Sequence, residues 1–164
     1  MIKSPKQLQE SEYNDCEIIG KLSANVVDGK CYPSESGYIQ YDKWLCSPPI
    51  YNNQTTYAKM TVNGFDEGEE GGWPSYCDGK YHRNTEKVVA LSTGWFNDLQ
   101  NCGKIVRIYA NGRVSEAKVV DECDSRAGCD EEHAFLPPCK NNIIDTSSAV
   151  WDELGLNQID GIVD

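Results

Sequence analysis

The apolar residues of the chain are grouped in short runs, a pattern that favours strands over long helices. The run from Lys87 to Thr93 is almost continuously apolar, which is typical of a strand buried on both faces. Residues from Thr55 to Val62 alternate loosely and are rich in β-forming side chains, so we predict a strand there too. A further strand, from Ala117 to Asp121, leads into a cysteine-containing acidic loop, and another is predicted from Asn142 to Asp145.

The clearest local pattern is a hairpin around Asn111-Gly112. This dipeptide favours a type I′ turn, and it separates the predicted strands Lys104–Ala110 and Arg113–Val120. A two-residue turn fixes the pairing of the two strands, and the side chains then fall on two distinct faces. The outward face is predicted to pair Arg107 with Glu116, Tyr109 with Val114, and Ile105 with Lys118. The inward face is predicted to pair Val106 with Ala117 and Ile108 with Ser115.

The C-terminal part of the chain is predicted to contain one short helix over residues 146–154. Asp145 precedes it as the expected N-cap, and Gly155 follows it in the usual C-terminal position. Residues 161–164 are expected to begin another strand. About six short strands with uneven spacing and an inserted helix predict a small closed β-barrel rather than a sandwich.

The N-terminal part has a different character. Residues 1–15 are polar and without periodicity, and we predict a flexible tail. Residues 16–50 combine turn signals with three cysteines, so we predict an irregular segment with short extended pieces, held by disulfides. We expect residues 16–164 to form a single domain.

The cysteine pattern indicates disulfides rather than a metal site. The chain has eight cysteines, two histidines and no C-x-x-C pair, which is typical of proteins from an oxidising compartment. Eight cysteines allow roughly a hundred pairings, among which a Cys129–Cys139 staple is one candidate. We predict four disulfides among Cys16, Cys31, Cys46, Cys77, Cys102, Cys123, Cys129 and Cys139.

Secretion is also indicated by an N-glycosylation acceptor pattern, Asn53-Gln54-Thr55, although this motif is weak alone. Met1 to Ser4 lack an apolar run, so we expect a signal peptide to have been removed. No apolar stretch is long enough for a membrane span.

The net charge of −11 disfavours nucleic acid as a partner, because phosphate binding requires clustered Lys and Arg. An acidic surface would instead attract a basic protein partner. The alternative is that the charge only keeps a secreted protein in solution.

Asp121 and Asp145 are the candidate acid–base residues. Two carboxylates that flank a groove can divide the general acid and general base roles in glycoside cleavage. The alternatives are structural: Asp145 would cap the helix, and Asp121 would accept hydrogen bonds from loop amides. The acids near His133 lack the spacing of a calcium loop, and neither a zinc motif nor a nucleophilic triad is present, so we predict no metal, cofactor or reactive thiol.

Two loops are predicted to form a recognition surface. The first loop, residues 63–76, is acidic and glycine-rich, and it carries Trp73 and Tyr76. The second loop, residues 124–136, is also acidic and ends in Phe135-Leu136. In the alternative interpretation Trp73 packs the first loop down, and Phe135 and Leu136 fold back onto the barrel.

Several motifs together resemble the kiwellins, also called ripening-related proteins, of plants. They are Ala90-Leu91-Ser92-Thr93-Gly94-Trp95, Cys102-Gly103-Lys104, the run from Ala117 to Ser125, Gly128-Cys129-Asp130, Pro137-Pro138-Cys139 and Ala149-Val150-Trp151. The resemblance covers about residues 16–164 and implies an all-β double-psi β-barrel, as in barwin and expansins, with short helices. It also implies secretion into the plant apoplast, a defence role, and inhibition of chorismate mutases that fungal pathogens secrete.

We therefore predict a monomeric, non-enzymatic protein that binds a secreted pathogen protein through loops at one end of the barrel. The predicted contact residues are Phe65, Asp66, Glu69, Glu70, Trp73, Tyr76, Asp124, Arg126, Phe135 and Leu136. The alternative is a cell-wall polysaccharide binder or a weak glycan-cleaving enzyme, with a groove formed by Asp121, Asp145 and Trp95. Expansins have His-Phe-Asp where this chain has Ile143-Ile144-Asp145, and the missing histidine weakens the catalytic alternative.

Overall fold

A computed structural model describes residues 16–51, 54–160 and 162–163. The predicted tail at 1–15 and the glycosylation candidate Asn53 lie outside these residues. Most elements of the described chain are strands, which form two sheets, and a few short helices lie between them.

The N-terminal part forms a three-stranded antiparallel sheet, so the prediction of an irregular segment is wrong. It contains β1 (Ile18–Val27), β2 (Lys30–Pro33) and β3 (Ile39–Trp44), in the order β2-β1-β3. Asp28 and Gly29 join the first two strands with left-handed φ angles of 50° and 75°, as a type I′ turn requires. The Asp-Gly signal therefore marked a hairpin.

The second sheet has six strands in the order β6-β7-β5-β8-β4-β9. Two short helices, α1 (Thr93–Phe96) and α2 (Ser148–Leu154), accompany these strands. The strands are β4 (Lys59–Val62), β5 (Val88–Ser92), β6 (Ile105–Ala110), β7 (Arg113–Cys123), β8 (Ile143–Thr146) and β9 (Ile162–Val163).

Two parallel pairs, β5 with β7 and β4 with β8, meet at the antiparallel junction of β5 and β8. This arrangement, with its short helices and stapled loops, confirms the predicted all-β double-psi class. The sheet curls into a half-barrel rather than the closed barrel we expected. Within the described residues, β6 and β9 are not hydrogen-bonded to each other. Strand β9 has only two residues, so it offers few backbone N–H and C=O groups that could pair with β6.

The hairpin of β6 and β7 has the predicted register at every pair from Ile105–Lys118 to Ala110–Arg113. Asn111 and Gly112 have φ angles of 51° and 67°, which confirms the type I′ turn. The inward face is buried at Ile108, Ser115 and Ala117, as predicted. The Asn111 side-chain amide also donates to the carbonyl of Leu154, at 3.0 Å, and so fixes the hairpin to the end of α2.

All five residues of β5 are buried, which confirms the prediction of burial on both faces. Val89 and Leu91 belong to the main core, together with Trp151 of α2. Val88 and Ala90 face the opposite side, where they pack with Phe65 and Val120. Phe65 is only 3% exposed, so its predicted place on a recognition surface is wrong. Burial of its ring anchors the start of the first loop.

The helix after β8 begins later than predicted. Its N-cap is Ser147, in an extended conformation, and Asp145 is a residue of strand β8. The Ser147 hydroxyl donates to the carbonyl of Glu86, at 2.6 Å, and accepts from the amide of Val88. Gly155 ends the helix in the left-handed conformation, as predicted.

The eight cysteines form four disulfides, as predicted, but the suggested Cys129–Cys139 pair is wrong. Cys129 faces the N-terminal sheet instead, where it is buried with Ala24 and Cys31. The pairs are Cys16–Cys46, Cys31–Cys129, Cys77–Cys102 and Cys123–Cys139. Among the described residues, no helix is both long and apolar enough to cross a membrane.

Replacing both Cys31 and Cys129 by alanine is expected to destabilise the protein more than replacing Cys77 and Cys102. The first pair spans 98 residues and the second 25, and the longer closed loop restricts the unfolded chain more. We expect losses of about 4–5 and about 3–4 kcal/mol in the free energy of unfolding. Reversible denaturant unfolding of both double variants measures them, and the opposite order would contradict the prediction.

Candidate functional site

The centre of the candidate site is a row of residues across four adjacent strands. Ala90 of β5 is in register with Asp121 of β7 on one side and with Asp145 of β8 on the other. Thr61 of β4 continues the row beside Asp145. Residues in register point to the same face of a sheet, so the two carboxylates flank the Ala90 methyl, with Cα atoms about 10 Å apart.

A β-bulge brings Asp121 to this face. The pairing of β5 with β7 passes from Val89–Val119 directly to Ala90–Asp121, which leaves Val120 as the extra residue. Without that extra residue Ala90 would lie opposite Val120, and Asp121 would point to the other face. The bulge is therefore a precondition of the carboxylate pair.

A cleft of about 530 Å³ lies above this row and is open to solvent. Ala90, Asp121 and Asp145 form its floor, and both predicted loops supply its walls. The two loops touch at Gly72, where a side chain would place its Cβ only 2.7 Å from the carbonyl oxygen of Glu132. Gly72 has a φ of 75°, so this position requires glycine for conformation as well as space.

Asp121 binds loop amides, as its structural interpretation predicted. Its carboxylate accepts hydrogen bonds from the backbone N–H of Tyr76, at 3.0 Å, and of Glu122, at 2.9 Å. Burial raises the pKa of Asp121 to about 6, against the opposing effect of these two hydrogen bonds. The residue thus positions the first loop and also titrates near neutrality.

Asp145 does not cap the helix, because it lies one strand position before Thr146 with its side chain on the cleft floor. The hydroxyl of Thr61 donates to its carboxylate at 2.7 Å. Burial raises the pKa of Asp145 to about 7, and the negative charges of Glu70 and Asp121 contribute in the same direction. Both floor carboxyls therefore have raised pKa values.

Asp124 and Asp130 of the second loop are paired with cations, in contrast to the acids of the floor. The His133 ring lies between Asp130, at 2.5 Å, and Asp124, at 3.2 Å. The hydrogen bond to Asp124 is the main reason that the pKa of His133 is raised to about 9, so the ring is cationic at neutral pH. Arg126 pairs with Glu122 at 3.2 Å and contacts Asp124 as well.

Three apolar side chains stand at the edge of the cleft, and we call them the rim: Trp73, Tyr76 and Leu136. Trp73 and Tyr76 are 57% and 60% exposed, so Trp73 does not serve to pack the first loop down. The Tyr76 ring contacts Phe96, with centroids 6.0 Å apart. The rim thus combines exposed apolar surface with a fixed position.

Phe135 is not part of the rim, and its predicted place on the recognition surface is wrong. Its ring lies against Tyr32 of the N-terminal sheet, with centroids 5.1 Å apart. Its carbonyl accepts from the amide of Cys31 at 2.8 Å. Phe135 adopts a left-handed φ of 57°, which turns it away from Leu136 and toward β2.

The structure brings most of the other predicted residues together. Trp95 is an exception, because it is buried beside a different cavity, and its indole N–H donates to the carbonyl of Pro48 at 2.7 Å. Asp66 and Glu69 do not line the cleft; Glu69 accepts from the side chain of Asn84 at 2.9 Å. The residues that do line it are Glu70, Trp73, Tyr76, Asp121, Asp124, Arg126, Leu136 and Asp145.

Sequence reasoning missed four residues of the site: Thr61, Ala90, Glu122 and His133. Ala90 left a weak signal, since it is the smallest residue in the buried run of β5. Thr61 and Glu122 left none, because their roles depend on pairing between distant strands.

A comparison with protein-family models matches residues 12–164 to the family described as Kiwellin-1. The chain belongs to the kiwellin family. This confirms the resemblance inferred from the motifs, and the match includes both loops and all four cleft-forming strands of this kiwellin-family chain.

Curated relatives agree with this assignment. The chain is 52% identical to kiwellin from Actinidia chinensis over 91% of its length, and that match covers 64% of the relative. It is 58% identical to the ripening-related protein grip22 of Vitis vinifera over 82% of its length and 62% of that relative. The chain thus spans less than two thirds of each of these two relatives.

Among solved structures, an expansin of Clavibacter michiganensis in complex with cellohexaose is similar, with a TM-score of 0.49 and 17% identity. The similarity covers 66% of this chain and 46% of the expansin.

We expect the stability of this kiwellin-family protein to decrease through Asp145 as the pH rises from about 4 to about 7. The pKa of Asp145 is raised from 3.8 to about 7, so in this window the folded state holds a proton that the unfolded state releases. The Asp145→Asn variant should therefore gain stability relative to the parent by at least about 2 kcal/mol between pH 4 and pH 8.

Denaturant unfolding at several pH values measures this difference. Asp28→Asn is the control, since Asp28 is exposed in a turn and asparagine tolerates its left-handed conformation. A parent–Asp145→Asn difference that does not change with pH would contradict the prediction.

Proposed function

We propose that this kiwellin-family chain is a secreted plant defence protein that binds a protein released by a pathogen and catalyses no reaction. The observation that carries the proposal is the exposed aromatic rim above the cleft. Trp73 and Tyr76 present large apolar surfaces to solvent, and aromatic side chains of this kind contribute most of the affinity in many protein interfaces.

The loops that carry the rim are held by covalent cross-links. Cys77, next to Tyr76, is bonded to Cys102, and the second loop is held by Cys31–Cys129 and Cys123–Cys139. A surface fixed in this way loses little conformational freedom on binding, which favours affinity. Four disulfides are also typical of proteins that act outside the cell, which supports secretion into the plant apoplast.

The partner class that we propose is the chorismate mutases secreted by fungal pathogens, which the kiwellin resemblance implies. A partner that covers both loops would bury the rim and bring its own groups over the acidic floor. Binding of this kind would inhibit the partner if the covered surface includes the entrance to its active site.

Replacing Trp73 and Tyr76 together by alanine is expected to weaken binding to such a mutase by at least about 30-fold, because two central aromatic contacts are lost. Calorimetric titration of purified chorismate mutases with the parent and the double variant measures the effect. Tyr109→Ala is the matched control, since Tyr109 is 58% exposed on the outer face of the hairpin. Absence of binding at micromolar concentration, or an equal loss in the control, would contradict the proposal.

A second candidate function is supported by the carboxylate pair. Asp121 and Asp145 face each other across Ala90, both have raised pKa values, and an open cleft lies above them. Two carboxyls roughly 6.5–9.5 Å apart can act as acid and base in glycan cleavage with inversion. In that case the cleft would bind a cell-wall polysaccharide, with Trp73 rather than Trp95 as the aromatic contact.

If the cleft cleaves glycans, Asp121→Asn should reduce product formation at least 100-fold, because one of the two proton-transfer groups is lost. General acid–base catalysis typically contributes a factor of about 10²–10⁴ to the rate. Incubation with β-glucans, chitin and peptidoglycan, followed by measurement of reducing ends, tests this. The Tyr109→Ala variant should retain the parent activity. No product and no binding from the parent protein would remove this candidate.

A further inference from the structure

Six charged residues of the cleft fall into two groups, and Glu70 and Glu132 belong to neither. Glu122 and Asp124 are neutralised by the two cations of the second loop, Arg126 and His133. Among the described residues, the hydrogen-bond donors to Asp121 and Asp145 are neutral, namely two backbone amides and the Thr61 hydroxyl. Within the part of the chain that the structure describes, no salt bridge reaches either floor carboxylate.

The residue between the two floor carboxylates is small and buried. Only the methyl group of Ala90 separates them along the row, and Ala90 lines the cleft. The cleft above is large enough to admit a side chain from outside. A planar group with donors on both edges could therefore reach both carboxylates at once.

The rim supplies a second and independent requirement. Trp73 and Tyr76 both line the cleft and are exposed, so a ligand bound in the cleft contacts aromatic surface. The part of the ligand that contacts the rim must therefore be apolar or must bind aromatic rings favourably. The part that reaches the two floor carboxylates must be a cation. An arginine side chain meets these conditions, with an aliphatic stem, a planar cationic guanidinium with five donors, and affinity for aromatic faces.

We propose that the cleft is a receptor for one arginine side chain of the protein partner, with its guanidinium between Asp121 and Asp145 and its stem against Trp73 and Tyr76. This inference rests on the proposed protein-binding function and specifies the chemistry of the partner. Lysine fits less well, because its compact ammonium cannot span both carboxylates. The net charge of −11 favours the approach of a basic surface patch around that arginine.

Arginine binding is expected to strengthen as the pH rises from 5 to 8, because the floor carboxyls then ionise. Their pKa values of about 6 and about 7 place the change in this window. The charges of Glu122 and Asp78 oppose ionisation of Asp121, and that of Glu70 opposes ionisation of Asp145. The other charged groups that line the cleft are Asp124, Glu132 and the two cations Arg126 and His133.

The test uses two blocked tripeptides, acetyl-glycyl-arginyl-glycine amide and the same peptide with citrulline, which has the shape of arginine without its charge. Binding to the parent protein at pH 7.5 is followed by NMR through the backbone amide of Ala90. We expect saturable shifts with the arginine peptide and at least tenfold weaker binding of the citrulline peptide. Equal affinity for the two peptides, or no shift at Ala90 with either, would overturn the proposal.

Variants locate the binding to the floor. Asp121→Asn and Asp145→Asn should each weaken binding of the arginine peptide at least fivefold, and Asp145→Asn should also reduce its pH dependence. Glu131→Gln is the matched control, because Glu131 is an exposed acid of the second loop that does not line the cleft. Equal losses in the control would show non-specific attraction and would overturn the proposal.

The outcome is separable from that of the proposed function. If a chorismate mutase binds through the rim but is insensitive to Asp121→Asn and Asp145→Asn, the arginine receptor is wrong and the binding function stands. If the arginine peptide binds as expected and no mutase binds, the receptor stands and the proposed partner is wrong. Binding of a neutral β-glucan fragment in place of the arginine peptide would favour the polysaccharide candidate instead.

Discussion

The burial of β5 between β7 and β8 is the constraint from which the site follows. A strand with hydrogen-bonded neighbours on both sides and cores on both faces can contain only apolar or small residues. Polar groups that serve the cleft must then lie on the neighbouring strands, and they do so at Asp121 and Asp145. Ala90 places only a buried methyl group between these carboxylates.

The two loops that surround the cleft have almost no regular secondary structure, so their shape depends on other interactions. The N-terminal sheet holds the second loop through Cys31–Cys129 and through the tilted ring contact between Tyr32 and Phe135. Charge pairs around His133 hold the same loop from within. The three-stranded sheet therefore supports the site. The sequence does not reveal this contact, because the N-terminal sheet and the second loop are far apart along the chain.

Local features were predictable from the sequence, and features that depend on distant pairing were not. The Asn111-Gly112 turn determines the hairpin register by itself, and the apolar run of β5 indicates burial by itself. Asp145 was misplaced because Asp-Thr-Ser-Ser offers four successive residues that can cap a helix, and only pairing with β4 and β5 shows where the strand ends.

The site was predictable only in part for the same reason. Motif resemblance identified the family, and composition identified both loops with their aromatic and acidic residues. The position of Asp121 depends on a bulge at Val120, and no local signal in a valine pair reveals which residue is extra. Phe65 and Phe135 show the same limit, because an aromatic residue in a polar loop can either face solvent or anchor the loop, and the tertiary contacts decide.

The hydrogen bond from the backbone N–H of Tyr76 to the carboxylate of Asp121 joins the rim to the floor. The same carboxylate that lines the cleft also fixes the tyrosine at its edge, so loss of its negative charge weakens the acceptor for that amide. Protonation at the bottom of the cleft is thereby coupled to the freedom of an aromatic ring at its mouth. In an acidic medium the molecule would present a looser and less polar entrance, and its choice of ligands would depend on the acidity of its surroundings.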